Sequence, residues 1–558
     1  MTANDDASPN QSTYIPITIR LQTPRRSEFN THEILTRRFR WKNEVWRRSR
    51  IVELSGAWLI AFAILFVFAF RTSAVLANTP FTDTRVNDAV EYELVVEKGV
   101  SPNFIDVSTS QGIVTLSGSV NDLLAKARAV KIAESVRGVR AVIDRITVTP
   151  VSRPDEDIRK DILTALLQDP ATESYQISVS VTNGVVALSG SVGSWPESQL
   201  AQRVAEGVKG AKEIHNDLTI NYLAKRTDEE IAADVEAALR WDIWVNGQLV
   251  DVQVKNGNVT LSGSVGSALV KSRAIQDAWV MGVTSVDANQ VQVDPMLRVG
   301  AQRRFRYSIA SDADIQQAVE AAFRRDPRVA PFSPNVRVED NTVILSGAVG
   351  NLKAKMAASQ DARDTVGVWW VENYLRVRPK NPPSDADIEK NLNAALFWDP
   401  GLVGGQIQAA VINHVAYLSG AVDDDYQRFE AQDVAARTKG VVEVRNRLHV
   451  EPQLTLSDSD SYYNWPDYYD GPLRYDTGLF APLPLKTDAQ VRKDIEKAFF
   501  WSPFVDRDDI KLTVHNGVAT LTGKVDGWIA YGEAQRDAYK GGASFVVNRL
   551  QVKKGAWF

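Results

Sequence analysis

A pattern of about seventy residues is repeated six times along this chain of 558 residues. Each copy carries Leu-Ser-Gly or a close variant at its second predicted strand, and the shared glycine recurs after 72, 73, 84, 73 and 103 residues. The period exceeds the roughly 20–50 residues of most solenoid repeats, so each copy is expected to own a hydrophobic core. The shared glycines are Gly118, Gly190, Gly263, Gly347, Gly420 and Gly523.

Local patterns predict the secondary structure of one copy. A capped helix with one apolar face comes first, as in 228–241, and alternating strands then flank a turn such as Asn183-Gly184. These are signals of an amphipathic helix and a hairpin. A second helix carries alanines one turn apart, such as Ala201 and Ala205, and Gly-Val leads into a last strand. The predicted class is α+β, in tandem α-β-β-α-β units with a three-stranded sheet and two helices on one face.

One combination of motifs recurs in the copies: Asn-Gly-x-Val-x-Leu-Ser-Gly-x-Val, then a helix, then Gly-Val and x-Asn-x-Leu-x-Val. This combination resembles the BON domain, named after bacterial osmotically inducible and nodulation proteins. Copy 1 departs from it with 110–112 in place of Asn-Gly, and copy 6 with 541–543 in place of Gly-Val. The resemblance implies a non-enzymatic protein of the periplasm or outer envelope that binds phospholipid or partner proteins during envelope stress. It covers residues 82–150, 155–222, 227–295, 311–379, 384–452 and 487–553.

The N-terminal residues predict export of all six copies. Leu54 to Phe70 is an uncharged, mainly apolar run of 17 residues, close to the shortest length that crosses a bilayer. Residues 1–50, expected to be disordered, hold ten Lys and Arg against five acids, which keeps them cytoplasmic. Residues 51–77 are therefore predicted to be a single inner-membrane anchor with the bulk of the chain in the periplasm. Cleavage after the small residues of 72–77 would instead release a soluble periplasmic protein.

Charge and residue types exclude several functions. Residues 1–77 hold 11 of the 64 basic and 6 of the 69 acidic side chains, which leaves a formal charge of −10 on 78–558. That sign argues against a nucleic-acid partner. Cysteine is absent and the five histidines are scattered, so no metal, cofactor or catalytic site is expected.

The candidate contact residues are aromatic and basic. Trp241, Trp398 and Trp501 end the first helix of three copies, and Phe397 and Phe500 precede two of them. Such residues could insert at a lipid headgroup interface, or pack on a neighbouring unit. Basic candidates lie in the linker 296–310, and the acidic, aromatic linker 453–486 could stack on glycan rings or drape over adjacent units. The basic candidates are Arg303, Arg304 and Arg306.

Two functional hypotheses remain open at this point. The first is a membrane-tethered envelope protein whose domains bind phospholipid surfaces or stabilise the envelope under osmotic stress. The second is a multivalent scaffold or spacer that binds cell-wall glycan or envelope proteins.

Overall fold

The computed structural model describes residues 81–552 apart from 97–98, 101–103, 170, 173–174, 223, 246, 298–309, 403–405, 451–485, 526 and 544. The chain divides into two compact units, residues 1–78 and 79–558, and the six repeats belong to the second. The predictions for 1–50, for 51–77, for Arg303, Arg304 and Arg306 and for nearly all of 453–486 lie outside the described residues. In the part that the structure describes, no helix has the length and apolarity to cross a bilayer.

Six tandem domains follow one order of elements, α-β-β-α-β, as predicted. Domain 1 comprises α1 (Asp83–Val96), β1 (Ile105–Ser110), β2 (Ile113–Val120), α2 (Leu123–Ser135) and β3 (Ala141–Val148). Domain 2 comprises α3 (Asp155–Gln168), β4 (Gln176–Thr182), β5 (Val185–Val192), α4 (Trp195–Glu206) and β6 (Glu213–Ile220). Domain 3 comprises α5 (Asp228–Trp241), β7 (Val250–Lys255), β8 (Asn258–Val265), α6 (Ala268–Asp277) and β9 (Ser285–Val293).

The second half of the chain repeats this order, with one interruption in domain 4. Domain 4 comprises α7 (Asp312–Arg325), β10 (Asn335–Glu339), β11 (Thr342–Ser346), β12 (Ala348–Val349), α8 (Leu352–Arg363), β13 (Trp370–Asn373) and β14 (Arg376–Val377). Domain 5 comprises α9 (Asp385–Trp398), β15 (Gln406–Ile412), β16 (Val415–Val422), α10 (Asp425–Arg437) and β17 (Glu443–Val450). Domain 6 comprises α11 (Asp488–Trp501), β18 (Ile510–His515), β19 (Val518–Val525), α12 (Trp528–Lys540) and β20 (Phe545–Val552).

The second strand of each domain forms the centre of its sheet. It pairs antiparallel with the first strand, to which the hairpin turn connects it. It pairs parallel with the last strand, to which the second helix connects it. In domain 2, for example, Leu188 lies between Val179 and Asn216. Domain 4 differs because its central strand breaks at Gly347 into β11 and β12, which pair with β13 and β14 in separate sheets.

Each domain has its own hydrophobic core between the sheet and its two helices. In domain 3 the first helix buries Ile231, Val235 and Leu239, each at most 2% exposed. The alanines of the second helix allow it to lie close to the sheet, and all twelve are fully buried. They are Ala129, Ala133, Ala201, Ala205, Ala274, Ala278, Ala358, Ala362, Ala431, Ala435, Ala534 and Ala538.

One repeated contact joins the first helix of each domain to its hairpin. The carboxylate of the first helical residue accepts two backbone N–H bonds from the turn, at 2.7–3.0 Å in all six domains. These bonds lower the pKa of Asp488, the member of the set in domain 6. The aspartates are Asp83, Asp155, Asp228, Asp312, Asp385 and Asp488. The helix-capping pattern in the sequence does not predict these bonds to the turn, because the partner amides lie in the hairpin.

His414 of domain 5 and Gly517 of domain 6 occupy the same position in the hairpin turn. We expect opposite changes in stability when each residue is replaced by the other. His414 has a φ of 63°, a left-handed conformation that L side chains disfavour, and its Nδ1 has no hydrogen-bond partner. His414→Gly should stabilise domain 5 by about 1 kcal/mol, and Gly517→His should destabilise domain 6 by a similar amount. Urea unfolding of each variant measures the change. A loss of stability in His414→Gly would show that the side chain itself supports the fold.

Candidate functional site

The aromatic residues at the ends of the first helices lie at contacts between domains. The last residue of the first helix is tryptophan in domains 3, 5 and 6, namely Trp241, Trp398 and Trp501. Domains 1, 2 and 4 have Val96, Gln168 and Arg325 at the same position. The structure brings each tryptophan-bearing domain against one domain that lacks the tryptophan.

Trp501 of domain 6 packs into domain 1. Its side chain is only 7% exposed and belongs to the hydrophobic core of domain 1. Its ring lies 6.0 Å from that of Phe81, and Phe81 stacks on Phe500 at 5.7 Å. The backbone N–H of Arg137 donates to the Trp501 carbonyl at 3.0 Å. Of the two interpretations that the sequence leaves open, packing on a neighbouring domain describes this position.

Trp241 of domain 3 makes the equivalent contact with domain 4. The N–H of Val366 donates to the Trp241 carbonyl at 2.8 Å, and the N–H of Ile243 donates to the Asp364 carbonyl at 2.8 Å. These two bonds form a short antiparallel bridge between the domains. The half-buried indole of Trp241 packs against the core of domain 4.

Phe397 and Trp398 of domain 5 meet domain 2 but stay open to solvent. The Arg153 guanidinium lies 3.9 Å from the Trp398 ring centroid, and Lys209 Nζ donates to the Phe397 carbonyl at 2.7 Å. Phe397 nevertheless remains 67% exposed and Trp398 37%. We call the surface formed by Phe397, Trp398, Arg153 and Lys209 the cation–aromatic surface.

The three contacts pair the domains in mirror order, 1 with 6, 2 with 5 and 3 with 4. The donor residues Arg137, Lys209 and Val366 are equivalent, because each precedes the glycine that follows the second helix of its domain. Arg137 and Val366 use the backbone N–H, whereas Lys209 uses its side-chain ammonium. The six domains therefore form three related pairs.

Buried charged groups accompany the pairing. Lys540 Nζ of domain 6 lies 2.8 Å from Glu93 Oε2 of domain 1, and both side chains are nearly buried. In domain 5, Arg437 lies 2.6 Å from Asp399, which is 1% exposed. Burial and the nearby Asp399 carboxylate raise the pKa of Glu430 to about 8.

Asp537 makes the stability of the pair formed by domains 1 and 6, the 1·6 pair, depend on pH. It is 3% exposed and its Oδ2 has no hydrogen-bond partner. Burial raises the pKa of Asp537 to about 8, while the adjacent Lys540 opposes this effect. The folded state therefore holds a proton that the unfolded chain releases near pH 4. The resulting stability is fully present below pH 4 and is lost as the pH rises towards 8.

Asp537→Asn is therefore expected to reduce the pH dependence of stability between pH 5 and 8, leaving the contribution of Glu430 in place. One such group contributes a slope of at most about 1.4 kcal/mol per pH unit, and the neutral amide removes it. Urea unfolding at four pH values between 5 and 8 measures the slope. The exposed carboxylate of Asp217 provides the control, since Asp217→Asn should leave the slope unchanged. An equal slope in Asp537→Asn and the parent would contradict the assignment.

The described residues contain no group of three or more His, Cys, Asp or Glu side chains that could hold a metal ion.

The shared glycines are required by the backbone geometry of the central strand. Five of them approach the carbonyl of the residue that precedes or begins the first strand. All six have positive φ, between 111° and 134°.

Comparison with known proteins gives a consistent family match. A profile of the BON domain matches residues 82–150, 154–222, 227–295, 311–379, 384–452 and 487–554. Over 143 residues, 24% of this chain, the sequence is 34% identical to 71% of osmotically-inducible protein Y of Escherichia coli strain K12. Among solved structures, CdsD, a structural protein of the type III secretion system of Chlamydia trachomatis, is 15% identical. That match covers 40% of this chain and 98% of CdsD, with a TM-score of 0.11.

Proposed function

The chain belongs to the BON domain family, and from this membership we propose that it is a non-enzymatic protein of the bacterial envelope whose domains bind anionic phospholipid surfaces. In this proposal residues 51–77 anchor it in the inner membrane and the six domains occupy the periplasm. The name of its osmotically inducible relative supports a role in the response to osmotic stress.

The observation that carries the lipid proposal is the cation–aromatic surface. Phe397 is the most exposed large aromatic side chain among the described residues. Aromatic rings are favoured at the headgroup interface, and a cation near an anionic bilayer contributes about 1 kcal/mol. Lys209 lies 5.8 Å from the Phe397 ring centroid, so a cation and an exposed ring can meet a bilayer together, whereas the Arg153 side chain is 9% exposed and is ion-paired with Asp161. The formal charge of −10 on 78–558 makes such a local basic site necessary for binding.

Replacing Phe397 and Trp398 together with alanine is expected to reduce binding to anionic vesicles at least tenfold. Co-sedimentation of residues 79–558 with anionic and zwitterionic vesicles, at low and physiological salt, measures this. We expect the parent protein to bind the anionic vesicles in a salt-sensitive manner, because the cations contribute much of the attraction. Phe104→Ala, at a ring that is 64% exposed elsewhere, is the matched control and should bind as the parent does.

The second candidate function is a scaffold whose domains bind cell-wall glycan or envelope proteins. The use of Trp241 and Trp501 in domain pairing favours it, since these side chains are occupied within the protein. Failure of the parent to bind either kind of vesicle would reject the lipid proposal and leave the scaffold. Equal binding by the double variant and the parent would reject the cation–aromatic surface as the lipid site.

A further inference from the structure

A cavity of about 240 Å³ lies where domains 2, 3 and 4 meet. Its lining includes Arg203 of domain 2, Arg273 of domain 3, and Arg325 and Arg328 of domain 4. None of the four residues of the cation–aromatic surface lines the cavity, so it is separate from the lipid site proposed above. Its volume is below the roughly 300–1,000 Å³ typical of sites for drug-sized ligands, which favours a small ligand.

The arginine side chains of the lining are more accessible than the carboxylates beside them. Arg203 is exposed, and the side chains of Arg273 and Arg328 are 34% and 31% exposed. The four lining aspartates that surround Arg273 and Arg328 are at most 15% exposed. A molecule that enters the cavity therefore meets guanidinium groups more readily than carboxylates. The four aspartates are Asp242, Asp277, Asp326 and Asp364.

Three of these carboxylates are already neutralised by ion pairs within the protein. Arg273 lies 2.7 Å from Asp242 and 3.3 Å from Asp364, and Arg328 is paired with Asp326. Each pair is internally compensated, so neither arginine nor aspartate of these pairs depends on a ligand for its counter-charge.

The remaining two aspartates, Asp277 and Asp361, carry little of the charge of the cavity. Their Oδ2 atoms are buried out of reach of a water molecule. Burial raises the pKa of both carboxyls well above the usual range for aspartate, with Asp242 adding to the effect at Asp277 and Asp326 at Asp361. The protonated, neutral form of each group is favoured as a result.

Two arginines of the lining have no counter-charge of their own. Arg203 and Arg325 make no hydrogen bond or ion pair in the part of the chain that the structure describes. Burial and the charge of Arg328 lower the pKa of Arg203, although Asp326 and Glu206 oppose this effect. Charged groups enclosed by protein are nearly always paired. Two unpaired guanidinium groups at one cavity therefore indicate an anionic ligand.

The placement of the two arginines indicates the shape of the anion. Arg203 lies on α4 of domain 2, and Arg325 is the last residue of α7 of domain 4. A planar carboxylate matches one guanidinium fork, whereas a tetrahedral oxyanion has oxygens for a second fork as well. We propose that this cavity binds one phosphate group between Arg203 and Arg325, either as free phosphate or as a small phosphate ester. A bound phosphate would also connect domains 2 and 4.

Calorimetric titration and thermal unfolding of the complete chain test this proposal. The probes are sodium phosphate, glycerol 3-phosphate and sodium acetate, with the ionic strength held constant by sodium chloride. We expect saturable phosphate binding that raises the unfolding midpoint, because the ligand binds only the folded state, and weaker binding of acetate. Tighter binding of glycerol 3-phosphate would identify an ester as the natural source, and equal or weaker binding would identify free phosphate. Saturation by neither phosphate compound, or tighter binding of acetate, would overturn the proposal.

Arg203→Gln and Arg325→Gln are the decisive variants, because each removes one unpaired cation. We expect phosphate affinity to fall about tenfold or more in each, the effect usual for a hydrogen bond to a charged group. Their unfolding midpoints without phosphate should stay the same or rise, since no contact within the protein is lost. Arg325→Lys should keep part of the affinity, because the charge remains but the fork does not.

Arg324→Gln is the matched control, since Arg324 is the exposed neighbour of Arg325 and lies outside the cavity. It makes the same change in net charge and should bind phosphate as the parent does. An equal loss of affinity in Arg324→Gln would show that the net charge of the surface, not the cavity, attracts phosphate. Unchanged affinity in both Arg203→Gln and Arg325→Gln would overturn the proposal even if phosphate binds.

Discussion

Replacing Trp501 with alanine is expected to lower the free energy of unfolding of the 1·6 pair by about 3–5 kcal/mol, the cost usual for a buried tryptophan. The indole is 7% exposed and lies in the core of domain 1, so its removal leaves a cavity in a domain to which it does not belong by sequence. The ring contacts with Phe81 are lost at the same time.

Denaturant unfolding of residues 79–558, together with hydrogen exchange in α1 and α2, measures this effect. Exchange should speed up in domain 1 although the substitution is in domain 6. Trp398→Ala is the matched control, because that indole is 37% exposed and should cost no more than about 1 kcal/mol. Unchanged exchange in domain 1 would mean that Trp501 stabilises its own domain alone.

Gly420→Ala is expected to prevent stable folding of domain 5, with a cost of about 4 kcal/mol or more. A Cβ at this position would overlap the carbonyl oxygen of Gln406 on the paired strand. The φ of 119° adds strain, since only glycine adopts it readily. Circular dichroism and urea unfolding of the variant measure the loss.

Gly347→Ala is the control for that experiment. Its φ of 111° is similar, but a Cβ there would find its nearest neighbour at 3.7 Å, the Nδ2 atom of Asn335. The difference arises because the central strand of domain 4 is interrupted at Gly347. We expect about 1–3 kcal/mol, from the backbone conformation alone. Equal costs at both sites would show that the carbonyl contact at Gly420 is unimportant.

Local sequence signals predict the individual domain well. Helix caps, alternating strands, Asn-Gly turns and paired alanines each act over a few residues, and the six α-β-β-α-β units are confirmed by the structure and by the family match. The pairing of domains is not predictable in this way, because the contact of Arg137 with Trp501 joins residues from opposite ends of the array.

One sequence signal did point toward the pairing. Tryptophan ends the first helix in three of the six domains, and these are the domains that each dock onto one of the others. The cavity lined by residues of domains 2, 3 and 4 left no comparable signal. Its lining comes from three domains that are separated along the chain, and no local pattern connects them.

The mirror order of the three pairs constrains how such a chain can evolve. Tandem arrays usually grow or shrink by duplication or loss of a single repeat. Here a seventh domain would leave one helix end without a partner, and loss of domain 6 would expose the side of domain 1 that receives Trp501. Gain or loss should therefore be tolerated most readily in matched pairs, which makes an even number of domains a selectable property of the array.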